Sequence, residues 1–454
     1  MSRSDEAYCL VLGGGGAKGI FHVGAWQALR EMDVPVNAFI GNSIGAIIAG
    51  YLAQGSETEM EEIASRIGID YILKVPSELV QNGEFKVTRA SLRHLRKLTR
   101  DAWSHKGLST EPLRERLMND IDEKRLRSSG NDLGVVTFNV SEMHPREVFI
   151  EEMEPGTVAD YLLASSAVPG FQMPKIGGER YLDGGVYDNI PYAMARRRGY
   201  RRLIVVDISG IGVTRRPTIV GTETIYIKNS INMGGILDFD KAFLDRFRLL
   251  GYLDTLRTFG RLDGRSYFVE PNAEAERRFL DLITGEQAAS ALAETMASVR
   301  NEEDIQPPWS LRLLLPQPMR HERRLLLSVM ECAALILGVE RIARYTYHDL
   351  LEQIAGRKSA IDRRVAWVMR STGGGESKRR LRWIRAIVRR SVRMKRYGRP
   401  PYYYNQIFSH FGRSSVGPKR PPRLLRRAIA ALSHEMPAGL LLLEMLPQVR
   451  KLLR

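Results

Sequence analysis

Val36-Asn37-Ala38-Phe39-Ile40-Gly41-Asn42-Ser43-Ile44-Gly45-Ala46-Ile47-Ile48-Ala49 is the stretch on which the reading of this chain turns. Val36 to Ile40 is a short apolar run of the kind that forms a buried strand. Ile44 to Ala53 is apolar on nearly every side, the pattern of a helix enclosed within a fold. Between them lies Gly41-Asn42-Ser43-Ile44-Gly45, a G-x-S-x-G. A serine on a sharp strand-to-helix turn needs small neighbours, because the backbone is strained and the chains crowd together. Gly41 and Gly45 supply that room, and Ser43 then sits at a helix N-terminus, whose dipole favours negative charge. The competing reading is a glycine-flanked serine N-cap.

Working outward, Tyr8 to Leu12 reads as a first strand and Ile20 to Met32 as a helix. Gly13-Gly14-Gly15-Gly16-Ala17-Lys18-Gly19 lies between the two. Consecutive glycines let several N–H groups point into one space, which makes a nest for an anion. The spacing of Gly14, Gly16 and Gly19 also satisfies the dinucleotide fingerprint. That reading requires an acidic residue at the end of the next strand, where this chain has Gly41-Asn42-Ser43. Further strands are expected at Gly134 to Val140, Glu147 to Ile150, Leu203 to Ile208 and Thr224 to Lys228. Strands alternating with helices imply an α/β fold with a mostly parallel sheet covered on both faces. Glu57 to Leu126 reads as a polar, mainly helical insertion.

A serine nucleophile needs a base. Of the eight histidines, none falls in a glycine-rich turn at the end of an expected strand. His22 reads as a packing or capping residue. His321 follows Ser43 in the order of a hydrolase triad, but in an Arg-rich helical stretch away from the sheet. Tyr181-Leu182-Asp183-Gly184-Gly185, followed by Asp188-Asn189-Ile190-Pro191, offers a carboxylate in a tight turn. A carboxylate within hydrogen-bond reach can take the serine proton directly. Taken alone, Asp-Gly-Gly is an ordinary turn.

Together these three elements resemble the patatin-like phospholipase family, which pairs a G-G-G-x-[KR]-G loop, a G-x-S-x-G elbow and a D-G-[GA] motif in this order. Gly14, Gly15, Gly16, Ala17, Lys18 and Gly19 match the first, Gly41 to Gly45 the second, and Asp183, Gly184 and Gly185 the third. Ala164 to Gly170, Asp188 to Pro191 and Leu203 to Ser209 are also similar to family stretches. Leu250 to Asp254 resembles a turn found in bacterial members. The resemblance implies a three-layer α/β hydrolase over residues 8–270, with its motif core at 8–200. It implies Ser43 as acyl-enzyme nucleophile and Asp183 as proton acceptor of a two-residue dyad. The N–H groups of Gly14, Gly15 and Gly16 become the oxyanion hole. The substrate class is the acyl esters of phospholipids, lysophospholipids or related lipids, with no metal and no cofactor. Asn42 stands where Thr or Ala is usual, and Gly13 where some members carry Asp; neither supplies catalytic atoms, so both bear on substrate preference.

Residues 271–454 lie outside the resemblance and read as a basic, mainly α-helical region. The chain's net charge is +16. Between Arg357 and Arg427, Lys and Arg face only Asp362 and Glu376 as acids, so the basic character is concentrated there and points to an anionic partner. Lys378 to Arg396 reads as a basic amphipathic helix suited to an anionic membrane, with Pro400 to Tyr404 and Leu440 to Leu453 adding apolar surface. Leu325 to Val339 is too short to span a bilayer and reads as a buried or interfacial helix. No nucleic-acid module is legible, which sets nucleic acid below a membrane as the partner. A protein activator is the other partner this region suits. The alternative for the whole chain is a catalytically silent or regulatory protein acting through this basic region. With two cysteines and no apolar leader, the expected location is the cytoplasm, with peripheral membrane contact.

Overall fold

The computed structural model describes residues 7–81, 84–85, 92–104, 107–215, 220–235, 239–284, 312, 314–320, 323–371 and 434–453. The chain divides into two compact units, Met1–Gly260 and Arg261–Arg454. Gly260 precedes the boundary expected at residue 270 because Phe268–Val269 pairs in parallel with Arg344–Tyr345. That short pair also places a strand beyond residue 272, where sequence shows no strand pattern.

In the first unit, every residue of β1 (Tyr8–Leu12) is buried, as expected of a strand covered on both faces. It is followed by β2 (Val36–Asn42), β3 (Asp132–Asn139), β4 (His144–Phe149), β5 (Lys175–Ile176), β6 (Glu179–Asp183), β7 (Arg202–Asp207) and β8 (Glu223–Lys228). They form one sheet in the order β8-β7-β1-β2-β3-β6-β5, with β4 also on β3. The run from β8 to β3 is parallel, whereas β4, β5 and β6 pair antiparallel.

One junction in this sheet sets the site. Along β3, β2 pairs as far as Asn42 opposite Val136. The next residue, Thr137, pairs with Asp183 at the end of β6. Because β4 pairs with Gly134 to Asn139, it occupies the other edge of β3. Strands β2 and β6 therefore share one edge and meet end to end. Thr137 Oγ1 donates to the Leu182 carbonyl at 2.7 Å, which ties β6 to that position.

Helices cover the sheet. Helix α1 (Ile20–Glu31) follows the glycine loop, α2 (Ile44–Ala53) follows β2, and α3 (Val158–Ser165) precedes the β5–β6 hairpin. The stretch Leu250 to Asp254, expected as a turn, lies instead within the helix α4 (Lys241–Thr258). Gly251 is needed there for close packing: a Cβ on it would stand 2.1 Å from the Phe21 carbonyl oxygen. In the stretch Glu57 to Leu126, expected as mainly helical, the described residues include the helices Glu57–Arg66, Glu111–Asp120 and Glu123–Ser128 and a short antiparallel pair of Val80–Gln81 with Glu84–Phe85.

The second unit is built around α5 (Leu325–Leu337), buried along almost its whole length, with α6 (Tyr347–Ser371) and α7 (Met436–Glu444). Two buried carboxylates organise it. Glu331 Oε1 accepts the N–H groups of Arg265, Ser266 and Tyr267 at 2.7–2.8 Å. Glu276 accepts the N–H groups of Leu326 and Leu327 and the Tyr347 hydroxyl, so it caps the start of α5. Leu441, Leu442, Leu443 and Val449 lie in this core, which corrects their expected role as membrane-facing surface: their side chains are already buried against protein. Lys378 to Arg396, Pro400 to Tyr404 and His321 lie outside the described residues.

Candidate active site

Ser43 occupies the turn between β2 and α2 with φ 56° and ψ −130°. A non-glycine residue held there stores on the order of 1–3 kcal/mol of strain. The turn is possible because its flanks are glycines. A Cβ on Gly41 would lie 2.3 Å from the Gly45 carbonyl, and one on Gly45 would lie 2.4 Å from the Leu12 carbonyl oxygen. The Ser43 N–H donates to Ser165 Oγ at 2.9 Å, and Ser165 Oγ donates to the Val136 carbonyl at 2.7 Å. One hydroxyl thus fastens the elbow to β3.

The end-to-end meeting of β2 and β6 sets Ser43 and the Asp183 carboxylate side by side on the wall of one cavity. Both residues are buried, Ser43 at 8% exposure. Asp183 Oδ1 also accepts the Gly185 N–H at 2.7 Å and the Asn42 Nδ2–H at 3.2 Å. Burial pushes the Asp183 carboxyl above the usual aspartate value, while the hydrogen bonds from Ser43, Gly185 and Asn42 oppose that rise.

The glycine loop packs against both residues. A Cβ on Gly14 would stand 3.0 Å from Ser43 Cβ and 2.5 Å from Asn189 Oδ1. Gly13 and Gly14 donate their N–H groups to the carbonyls of Val206 and Asn189. Asn189 Nδ2 in turn donates to the Gly14 carbonyl at 3.3 Å. Gly14 therefore shapes the loop without an N–H to spare, which corrects its expected place among the oxyanion donors. Among the described residues, the N–H groups of Gly15 and Gly16 have no protein acceptor. Lys18 is buried and its Nζ donates to the Ser209 carbonyl at 3.0 Å, so it braces the loop.

His22 sits one turn into α1 with Nε2 on the Gly13 carbonyl at 2.8 Å. Burial pushes its imidazole down to about 4, against the Gly13 hydrogen bond and the charge of Asp207. It is neutral near pH 7, donates from Nε2 and holds the glycine loop.

Residues 10–196 match the family model described as patatin-like phospholipase. This segment is a patatin-like phospholipase domain. A patatin-like phospholipase domain-containing protein of Caenorhabditis elegans, ZK370.4, is 30% identical over 217 residues, 46% of this chain and 14% of that protein. The lysophospholipase NTE1 of Saccharomyces cerevisiae is 29% identical over 211 residues, 45% of this chain and 11% of that protein. The chain thus spans a small part of the length of these curated relatives. Among solved structures, VipD from Legionella pneumophila aligns over 98% of this chain and 88% of its own, with a TM-score of 0.36 and 14% identity.

Beside Ser43 and Asp183, the patatin-like domain encloses a cavity of about 770 Å³, within the roughly 300–1,000 Å³ typical of ligand sites. Its wall is aliphatic, with Ile44, Ile47, Ile48, Met60, Ile63 and Leu117 among its residues. Two residues at this site carry more than sequence assigned them. Ser165 lies in the Ala164–Gly170 stretch, whose likeness to the family gave no role. Asn42 binds Asp183 directly, so its departure from Thr or Ala bears on the carboxylate.

Proposed function

We propose that the patatin-like domain hydrolyses fatty acyl esters of phospholipids or lysophospholipids through Ser43 and Asp183. The observation that carries this is Ser43 on a strained elbow beside the buried Asp183, both on the wall of one aliphatic cavity. Relatives described as lysophospholipases support the choice of ester. Ser43 Oγ attacks the acyl carbonyl carbon as its proton passes to Asp183. Negative charge gathers on the carbonyl oxygen, facing the N–H groups of Gly15 and Gly16. Donors placed in this way typically contribute about 2.7–4 kcal/mol each to the transition state. Collapse of the intermediate breaks the ester bond, and the departing alkoxide takes the proton from Asp183. A water, deprotonated by Asp183, then attacks the Ser43 acyl-enzyme and releases the fatty acid, and Ser43 Oγ recovers its proton. Only side chains and backbone take part, so the reaction proceeds with a chelator present.

The test is fatty-acid release from mixed phospholipid and lysophospholipid vesicles in EDTA by the wild type, Ser43→Ala and Asp183→Asn. Release by the wild type and loss in both variants is the expected outcome. Activity retained in Asp183→Asn would remove the dyad. No release from vesicles or from a soluble ester would return weight to the regulatory reading. Contact of residues 357–427 with anionic lipid belongs to the same proposal; vesicle binding that weakens as salt rises supports it. Among the described residues, no helix is long and apolar enough to cross a membrane.

A further inference from the structure

Ser209-Gly210-Ile211-Gly212-Val213 forms a loop pinned at both ends against the site. Ser209 donates its N–H to Asp207 Oδ1 at 2.7 Å and accepts Lys18 Nζ through its carbonyl. Val213 donates its N–H to the Gly185 carbonyl at 2.9 Å and accepts the Asn189 N–H at 2.7 Å. Gly210 is pressed so closely on the glycine loop that a Cβ would stand 1.9 Å from the Gly14 carbonyl oxygen. Ile211 is 76% exposed, Val213 49% and, across from them, Val186 42%. All three also line the cavity that holds Ser43 and Asp183, so its apolar wall continues outward onto the surface. Just beyond Val213, the Arg215 guanidinium lies 4.0 Å over the Tyr187 ring.

We propose that this rim is the surface on which the domain docks to a phospholipid bilayer, with Ile211 and Val213 entering the acyl region and Arg215 meeting headgroup phosphate. The choice of partner rests on the lipid-hydrolase reading. A chain destined for an aliphatic cavity must leave other hydrocarbon, and a continuous apolar path from bilayer to cavity spares it the passage through water. Single exposed aliphatic side chains are ordinary, whereas three gathered around one opening form a patch that marks an interaction site. A cation beside that patch suits the boundary between acyl chains and headgroups.

The test uses the full chain carrying Ser43→Ala, so that the vesicles stay intact. Cys9 and Cys332 are buried, which lets a polarity-sensitive dye be attached selectively at Ile211→Cys or at Ser128→Cys. Ser128 is exposed just ahead of β3, at the end of the parallel strands opposite Ser43. With phosphatidylcholine vesicles containing phosphatidylglycerol, the label at 211 is expected to shift to the blue and to be quenched by brominated acyl chains, and the label at 128 is not. Co-flotation of Ile211→Asp/Val213→Asp is expected to fall at least tenfold. A label at 211 that responds no more than the one at 128 would overturn the proposal. So would self-association through this rim in place of vesicle binding. Binding is read without turnover. A wild type that releases no fatty acid therefore sinks the hydrolase reading alone, and a silent label at 211 beside an active wild type sinks the docking surface alone.

Discussion

At position 42 the chain carries an amide whose Nδ2 donates to Asp183 Oδ1 and so favours the ionised carboxylate. Its effect should be visible in the pH dependence of hydrolysis. The proposed base acts when ionised, so activity rises with pH through the Asp183 titration. Asn42→Ala removes a hydrogen bond that lowers this pKa, and the acid limb of kcat should move to higher pH. Asp183→Asn should cost about 10²–10⁴ in rate and yet stabilise the protein. A carboxyl raised by burial contributes stability below its unfolded pKa and loses it as pH rises through the folded value. The Asn variant should therefore melt higher than the wild type at pH 7, with the difference closing near pH 4. His22 works in the opposite sense. Its folded value of about 4 lies below the unfolded one, so stability is full above about pH 6.5 and falls toward pH 4, by about 3 kcal/mol. His22→Gln should flatten that decline in denaturant titrations run across the range.

Among elements, the decisive contact is β2 against β6 on the edge of β3, and Ser165 on α3 secures it from behind. Ser165→Ala leaves the Ser43 N–H and the Val136 carbonyl without their shared partner. Each buried group so abandoned costs about 1–3 kcal/mol. The expected result is a lower melting temperature together with a fall in kcat at nearly constant KM, which Ser165→Thr restores in part. Much of this architecture was legible in the sequence. The elbow, the glycine loop and the alternation of strand and helix are local patterns, written in neighbouring residues. Asp183 at the end of a strand was not, because Glu179 to Asp183 becomes a strand only by pairing with distant β3. The exclusion of the Gly14 N–H from the donors was hidden for the same reason, since its acceptor is Asn189. The cavity wall joins residues from several helices, which no single periodicity displays.

On the scale of the molecule, the two units rest on different devices: a parallel sheet in the first, and buried carboxylates that gather backbone N–H groups in the second. Glu331→Ala strips three N–H groups of one acceptor, each bond to a charged group being worth about 1.5–3 kcal/mol. Amide exchange should then rise by at least two orders of magnitude across Leu325–Leu337, and little in β1. The junction on β3 has a further consequence for a chain made from its N-terminus onward. Residues 42 and 183 are 141 positions apart, so the ribosome finishes the elbow well before it delivers the carboxylate that completes the pair. In the proposed mechanism Ser43 gains its base only after β6 has paired with β3, so hydrolysis would wait on the synthesis of residue 183.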